Sequence, residues 1–173
     1  MVNPPLIIAP DNKLLIDVFN VPQLHVMTGV LGKLVEAAEK SFPSGETFMK
    51  GFLSENNIHK TEYHGTHSFE GNQARDLMLC SQKLRDAAVN KLSPFVRPKI
   101  LAIVDTIEAF SEVVTACFSI KINGDYKSKI RTFSMLYRRL NISVPPKVKV
   151  LLSTFCFIYF QKLKSSIYLG AYR

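Results

Sequence analysis

The chain of 173 residues contains no tryptophan, only three cysteines and no long uninterrupted apolar run. The cysteines lie far apart, which indicates free thiols that behave as small apolar side chains and no disulfide framework. The longest apolar stretch, 150–160, is interrupted by Ser153 and Thr154 and is too short to span a membrane. The sequence therefore favours an intracellular protein without a membrane anchor.

Motifs that mark an enzyme are also missing. There is no glycine-rich phosphate loop, and no Ser or Cys nucleophile stands beside a base. His64 and His67 have a spacing that a metal could use, but without a nearby cysteine we interpret them as part of a polar turn. Asp105 and Glu108 share one helix face, and acids at that spacing usually only solvate it. We predict no catalytic residue, no metal site and no cofactor.

Acidic residues are scarce in the last third of the chain. Residues 1–120 carry 11 Lys/Arg and 13 Asp/Glu, whereas residues 121–173 carry 11 Lys/Arg and a single acid, Asp125. The basic residues alternate with apolar ones, so they belong to a folded region and not to a tail. Such asymmetry favours a polyanionic partner, nucleic acid more than membrane. A basic face that is merely solvated is the alternative.

Apolar residues recur at helical spacing along most of the chain, and 47% of all residues are apolar. We therefore predict a mostly α fold, a single helical domain of about six helices with one short N-terminal strand-like segment at 13–19. The predicted order is an extended segment 1–20, the first helices 21–92, and long helices 94–164 with a basic C-terminal third. The last helix is expected at 147–164.

Some positions carry specific expectations. Leu24 and His25 are expected on the buried side of the first helix, His25 as a core histidine. The second helix should end near Asn56-Asn57. Asn72 is expected to bond the amides that follow it and so to start the third helix, which should run to Ser93-Pro94. A phosphate could dock near that helix start, beside an exposed guanidinium.

Three segments resemble a group of transposon-derived proteins of animal genomes: residues 21–29 (VPQLHVMTG), residues 63–65 (YHG) together with 69–78 (FEGNQARDLM), and residues 142–150 (ISVPPKVKV). More distantly, the GNxARxLM run is similar to one in the catalytic subunit of the V(D)J recombinase and in Transib-type transposases. The resemblance covers nearly the whole chain. It corresponds only to the helical insertion that these transposases carry inside an RNase H-like fold.

The resemblance implies DNA transposition, in which three carboxylates hold two Mg²⁺ or Mn²⁺ ions and a separate structural Zn²⁺ site is present. This sequence departs from the pattern in two places. Residues 169–172 (LGAY) lead only to Arg173, where the relatives continue to their last catalytic Glu. Lys149 and Thr154 stand where the relatives have two zinc-binding histidines. We therefore expect a truncated transposase-like protein, nuclear if expressed, that contacts DNA without cutting it.

The predicted DNA contacts come from two sources. Arg75 matches the basic residue of the GNxAR motif, whereas the residues of the last third follow from charge segregation alone. Asp76 stands where the recombinase has a second basic residue, so it should weaken the Arg75 contact. The predicted DNA-binding residues are Asn72, Arg75, Lys127, Lys129, Arg131, Arg138 and Arg139.

DNA is thus the expected partner, with no membrane and no small-molecule substrate. Two alternatives remain open. One is a non-catalytic helical domain that serves protein interaction or structure, and the other is a fragment that does not fold without the missing RNase H-like portion.

Overall fold

The computed structural model of the chain describes residues 23–63, 66–118 and 125–143. Within these ranges it contains six helices and one two-stranded antiparallel sheet. The elements are α1 (Gln23–Lys40), α2 (Gly45–Glu55), β1 (Lys60–Tyr63), β2 (Thr66–Phe69), α3 (Gly71–Leu79), α4 (Ser81–Lys91), α5 (Arg97–Phe118) and α6 (Tyr126–Arg139).

The predicted mostly α fold is confirmed. The strand-like run expected at 13–19 and the helix expected at 147–164 lie outside the described residues. None of the helices in the described ranges is long and apolar enough to cross a membrane.

Helix α5 forms the centre of the core. Its apolar residues recur every three or four positions, which places them on one face of the helix. Ile100, Val104, Ile107, Phe110 and Val113 are all fully buried. Helices α1, α4 and α6 each pack against α5. The positions of α1, α4 and α6 are therefore defined relative to this helix.

The junction between α1 and α2 depends on a glycine. At Gly45 an added Cβ would lie only 2.5 Å from the carbonyl oxygen of Glu39 and 2.7 Å from that of Ala38. Backbone atoms cannot move aside as a flexible side chain can, so only glycine allows α2 to begin this close to the end of α1.

Helix α2 ends in a Schellman motif. Asn57 adopts a positive φ of 56°, a conformation that Asn tolerates better than most residues. Its N–H donates to the carbonyl of Ser54 (3.1 Å), and the N–H of Ile58 donates to that of Leu53 (2.9 Å). Ile58 and Leu53 are both buried, so the motif is held by apolar contact as well. The end predicted near Asn56-Asn57 is confirmed.

The segment interpreted as a polar turn contains a β-hairpin instead. Strand β1 pairs with β2 in antiparallel register, with Lys60 opposite Phe69 and Tyr63 opposite Thr66. Phe69 is buried in the core, and an ion pair between Lys60 and Glu39 ties the hairpin to α1. Sequence reasoning missed the two strands because they are short and mostly polar, so they lack the apolar alternation that identifies a strand. His64 and Gly65, between the strands, lie outside the described residues.

The third predicted helix is two helices, because the chain turns at Cys80 (φ −88°, ψ 8°). Helix α3 packs on α1, while α4 packs on α5. Two different packing partners explain the turn, since no residue near Cys80 prevents a continuous helix. The expectation that Asn72 starts the helix was wrong. Helix α3 begins at Gly71, and the side chain of the preceding Glu70 makes no capping hydrogen bond.

Candidate nucleic-acid interface

Helix α6 is amphipathic, and its buried face fixes its orientation. Tyr126, Ile130, Phe133 and Tyr137 are buried at a spacing of three and four residues. The ring of Phe133 lies 5.2 Å from that of Phe110 on α5, and aromatic pairs at this separation are favourable. The residues between these buried positions are therefore held on the outside of the molecule.

The outer side of α6 is basic. The helix contains five Lys/Arg residues and no acid. Lys127, Arg131 and Arg138 are exposed and fall within a narrow stripe at 3.6 residues per turn. We call these three residues the α6 basic face. The side chains of Arg131 and Arg138 form no hydrogen bond or ion pair with any residue in the described ranges. Their charge is thus available to a partner.

Lys129 behaves differently from its neighbours. Its ammonium group forms an ion pair with Glu112 on α5, and its side chain is only 23% exposed. Hydrogen bonding to Glu112 raises the pKa of Lys129 above its ordinary value. The predicted DNA contact at Lys129 is therefore occupied by an internal partner, which joins α6 to α5.

Arg139 lies beside the stripe in the last turn of α6. It is exposed, and its side chain has no ion pair within the described residues. Instead of extending the α6 basic face, it lines a cavity between α1, α5 and α6. A cation at this position also stabilises the C-terminal end of the helix dipole, which is a structural role it can fill without any ligand.

The two predicted contacts of the GNxAR motif lie elsewhere. Asn72 and Arg75 are exposed on α3 and line a groove between α1, α3 and α5, which we call the α3 groove. No residue of α6 lines this groove. The side chain of Arg75 has no hydrogen bond or ion pair within the described part of the chain. The structure therefore separates the motif residues from the α6 basic face.

The α3 groove is also apolar. Leu24 and Leu79, which are 48% and 73% exposed, line it together with Met27 and Met78. The expectation that Leu24 and His25 lie on the buried side was wrong, because both are exposed. The buried face of α1 begins instead at Val26, which is 1% exposed. The groove thus combines exposed apolar surface with a guanidinium that has no partner among the described residues.

The overall charge distribution supports α6 as the basic region. Described residues before α6 carry 10 Lys/Arg and 11 Asp/Glu, whereas residues 125–143 carry five and one. Several basic residues in the first group are also paired, among them Arg85, which donates to both Asp105 and Glu108 at 2.7 Å. These carboxylates raise the pKa of Arg85. The acids predicted only to solvate their helix face are in fact partners of this arginine.

Histidines, cysteines and carboxylates are the side chains that could hold a metal ion. Within the described residues, no group of three or more potential ligands comes together. The backbone N–H of His59, which is exposed, donates to Gln73 at 2.7 Å. His64 lies outside the described residues.

Comparison of the chain with protein-family models, with curated proteins and with solved structures finds no match. The resemblance to transposases therefore stays a prediction from the sequence.

Sequence reasoning missed the basic residues that accompany Arg139 at its cavity. Lys33, Lys40 and Lys99 belong to the nearly neutral part of the chain, and only folding brings them near the end of α6. No local sequence signal marks them, since Lys33 and Lys40 read as ordinary partners of Glu36 at helical spacing.

Proposed function

We propose that this chain binds DNA through the α6 basic face, as a transposase-like protein without cleavage activity of its own. One observation carries the proposal: Lys127, Arg131 and Arg138 project from a helix that contains no acid and whose other face is fixed in the core. Nuclear DNA would be the partner. Absence of strand cleavage and of bound metal are predictions that accompany this proposal.

The geometry suits contact with the phosphate backbone. Lys127 and Arg138 are eleven residues apart, which corresponds to about 16 Å along a helix axis. Duplex DNA carries one charge per roughly 1.7 Å of its axis, so the stripe can face several phosphates at once. Contacts of this kind position a protein on DNA but do not read sequence. We therefore expect weak, salt-dependent binding with little sequence preference.

The proposal is tested with the full chain and a fluorescently labelled duplex at low salt. Binding is followed by fluorescence anisotropy for the wild type and for Lys127→Gln, Arg131→Gln and Arg138→Gln combined. The triple variant should lose most of its affinity. Circular dichroism should show unchanged helicity, because all three side chains are exposed. Equal affinity of the two proteins contradicts the proposal.

A second candidate function is protein interaction through the α3 groove. The observation that favours it is the exposure of Leu24 and Leu79 beside Arg75, because exposed apolar patches with a polar rim are typical of interaction sites. Leu79→Ser would abolish such an interaction without changing DNA affinity. A loss of DNA binding on Leu79→Ser would instead link the groove to the first function.

A further inference from the structure

A cavity of about 690 Å³ lies between the C-terminal half of α1, the first turns of α5 and the end of α6. Its apolar wall is formed by Ala37, Ala102, Ile103, Leu140 and Ile142. This volume falls in the range of small-molecule sites, which combine an apolar wall with a few polar groups. The charged groups that line this cavity are mostly cationic.

Among the described residues, four bases and one acid line the cavity: Lys33, Lys40, Lys99, Arg139 and Glu36. Glu36 accepts hydrogen bonds from Lys33 (2.6 Å) and Lys40 (2.7 Å), which lower its pKa to about 2. Glu36 is therefore ionised at neutral pH and cancels one of the four positive charges. An excess of three positive charges remains on the lining.

Lys99 and Arg139 are the cations with capacity for a ligand. The Arg139 side chain has no hydrogen bond or ion pair within the described residues. The Nζ atom of Lys99 lies 3.5 Å from the carbonyl oxygen of Ser41, which is too long for a strong hydrogen bond. These two residues come from different helices, so an anion between them would be held from two sides.

The helix dipoles at the cavity do not cancel the excess positive charge of its lining. The C-terminal ends of α1 and α6 and the N-terminal end of α5 all contribute lining residues. Each helix end is equivalent to roughly half a charge, so the two negative ends and one positive end sum to about −0.5. The three excess side-chain charges therefore dominate.

We propose that this cavity binds a phosphate monoester joined to an apolar or aromatic group. Arg139 and Lys99 hold the phosphate, and the wall of Ala37, Ala102 and Ile103 contacts the rest of the ligand. A phosphate monoester carries about −1.5 to −2 charges at pH 7, which matches the excess on the lining better than one carboxylate does. The guanidinium fork of Arg139 also suits two phosphate oxygens. The proposal is independent of DNA binding by the α6 basic face.

The first experiment titrates the full chain with adenosine 5′-monophosphate, adenosine and inorganic phosphate by isothermal calorimetry. Adenosine 5′-monophosphate should bind at least about tenfold more tightly than adenosine, since a charged hydrogen bond contributes about 1.5–3 kcal/mol. It should also bind more tightly than inorganic phosphate, which cannot use the apolar wall. Binding of the monophosphate no tighter than that of adenosine overturns the proposal.

Variants then locate the site. Arg139→Gln and Lys99→Gln should each weaken monophosphate binding about tenfold, and Arg139→Lys should recover part of the loss. The matched control is Arg131→Gln, which removes the same charge from α6 but outside the cavity. It should leave monophosphate affinity unchanged. An equal loss for Arg131→Gln and Arg139→Gln would show a general charge effect and would overturn the assignment to the cavity.

The phosphate could belong to a free nucleotide or to the end of a DNA strand. A duplex with a 5′-phosphate is therefore compared with the same duplex ending in a 5′-hydroxyl, for the wild type and for Arg139→Gln. If the wild type prefers the phosphorylated end and Arg139→Gln abolishes this preference, the ligand phosphate belongs to the end of a DNA strand. With no such preference, tight monophosphate binding assigns the free nucleotide.

Discussion

Lys129 on α6 donates a hydrogen bond to the carboxylate of Glu112 on α5. Within the described residues, this ion pair distinguishes Lys129 from Arg131, Arg138 and Arg139 of the same helix, although the sequence presents them in one run. The side chain of Lys129 is mostly covered, whereas Arg131 is exposed and unpaired within the described residues. The fold thus uses the Lys129 cation for its own stability.

Lys129→Gln and Arg131→Gln should therefore have opposite effects on stability and on DNA affinity. Lys129→Gln removes the link between α5 and α6 and should lower the urea midpoint, with only a small loss of DNA affinity. Arg131→Gln should weaken DNA binding while leaving the midpoint unchanged. Urea denaturation and fluorescence anisotropy measure the two effects on the same preparations. A larger loss of DNA affinity for Lys129→Gln would mean that this lysine leaves Glu112 to contact DNA.

Arg85 and Arg75 offer a second comparison. Arg85→Leu leaves Asp105 and Glu108 without their partner and should reduce the free energy of unfolding by about 1 kcal/mol. Arg75→Leu removes a side chain without a partner in the described part of the chain and should change stability little. For DNA we expect Arg75→Ala and Arg85→Ala to have equally small effects, because neither side chain belongs to the α6 basic face. A clearly larger loss of DNA affinity for Arg75→Ala would add the α3 groove to the DNA contact, as the GNxAR resemblance predicts.

The helices were predictable where apolar spacing and termination signals agree. The apolar stripe of α5 and the Asn56-Asn57 end of α2 could be read from the sequence, because burial and capping depend on residues close together in the chain. The hairpin at 60–69 could not, since its polar strands are stabilised by Phe69 in a core formed by distant helices. The turn at Cys80 likewise follows from packing and not from a local breaker.

The candidate site was predictable in part. The helical spacing of the apolar residues predicts that Arg131 and Arg138 lie outside the apolar face of α6, and both are exposed. Sequence reasoning could not show that Lys129 faces Glu112, or that Arg139 meets residues of α1 and α5, because these contacts join segments far apart in the chain. Pairing of charges between helices is decided by three-dimensional packing.

Three glycines should respond differently to alanine. An added Cβ at Gly32 or Gly51 would meet no atom within 4 Å. Both lie inside helices, where alanine is favoured, so Gly32→Ala and Gly51→Ala should each raise the free energy of unfolding by about 0.5–1 kcal/mol. Gly45→Ala should lower it, because the Cβ would clash with backbone carbonyls of α1. Urea denaturation checks all three, and a stabilising Gly45→Ala would contradict the described α1–α2 junction.

The pairing of Glu36 with Lys33 and Lys40 predicts a pH dependence of stability. The pKa of Glu36 is lowered from 4.5 to about 2 by these hydrogen bonds. A carboxyl whose pKa is lower in the folded state stabilises the fold above its unfolded pKa, and this contribution is lost as the pH falls from 4.5 towards 2. The wild type should therefore exceed Glu36→Gln in urea midpoint at pH 7, with the difference vanishing near pH 2. A difference independent of pH would contradict the ion pairs.

The salt dependence of DNA binding tests the central claim most directly, because it counts phosphate contacts. Each contact contributes about −0.9 to the slope of log affinity against log salt. The matched control replaces Lys50, Lys83 and Lys91, which are exposed on α2 and α4, with Gln and so removes the same charge as the α6 triple variant. We expect the control to keep the wild-type slope. In the α6 variant, in which Gln replaces Lys127, Arg131 and Arg138, the slope should become less steep by up to about 2.7. Equal slopes for the wild type and the α6 variant, or an equal loss in the control, would contradict DNA binding through the α6 basic face.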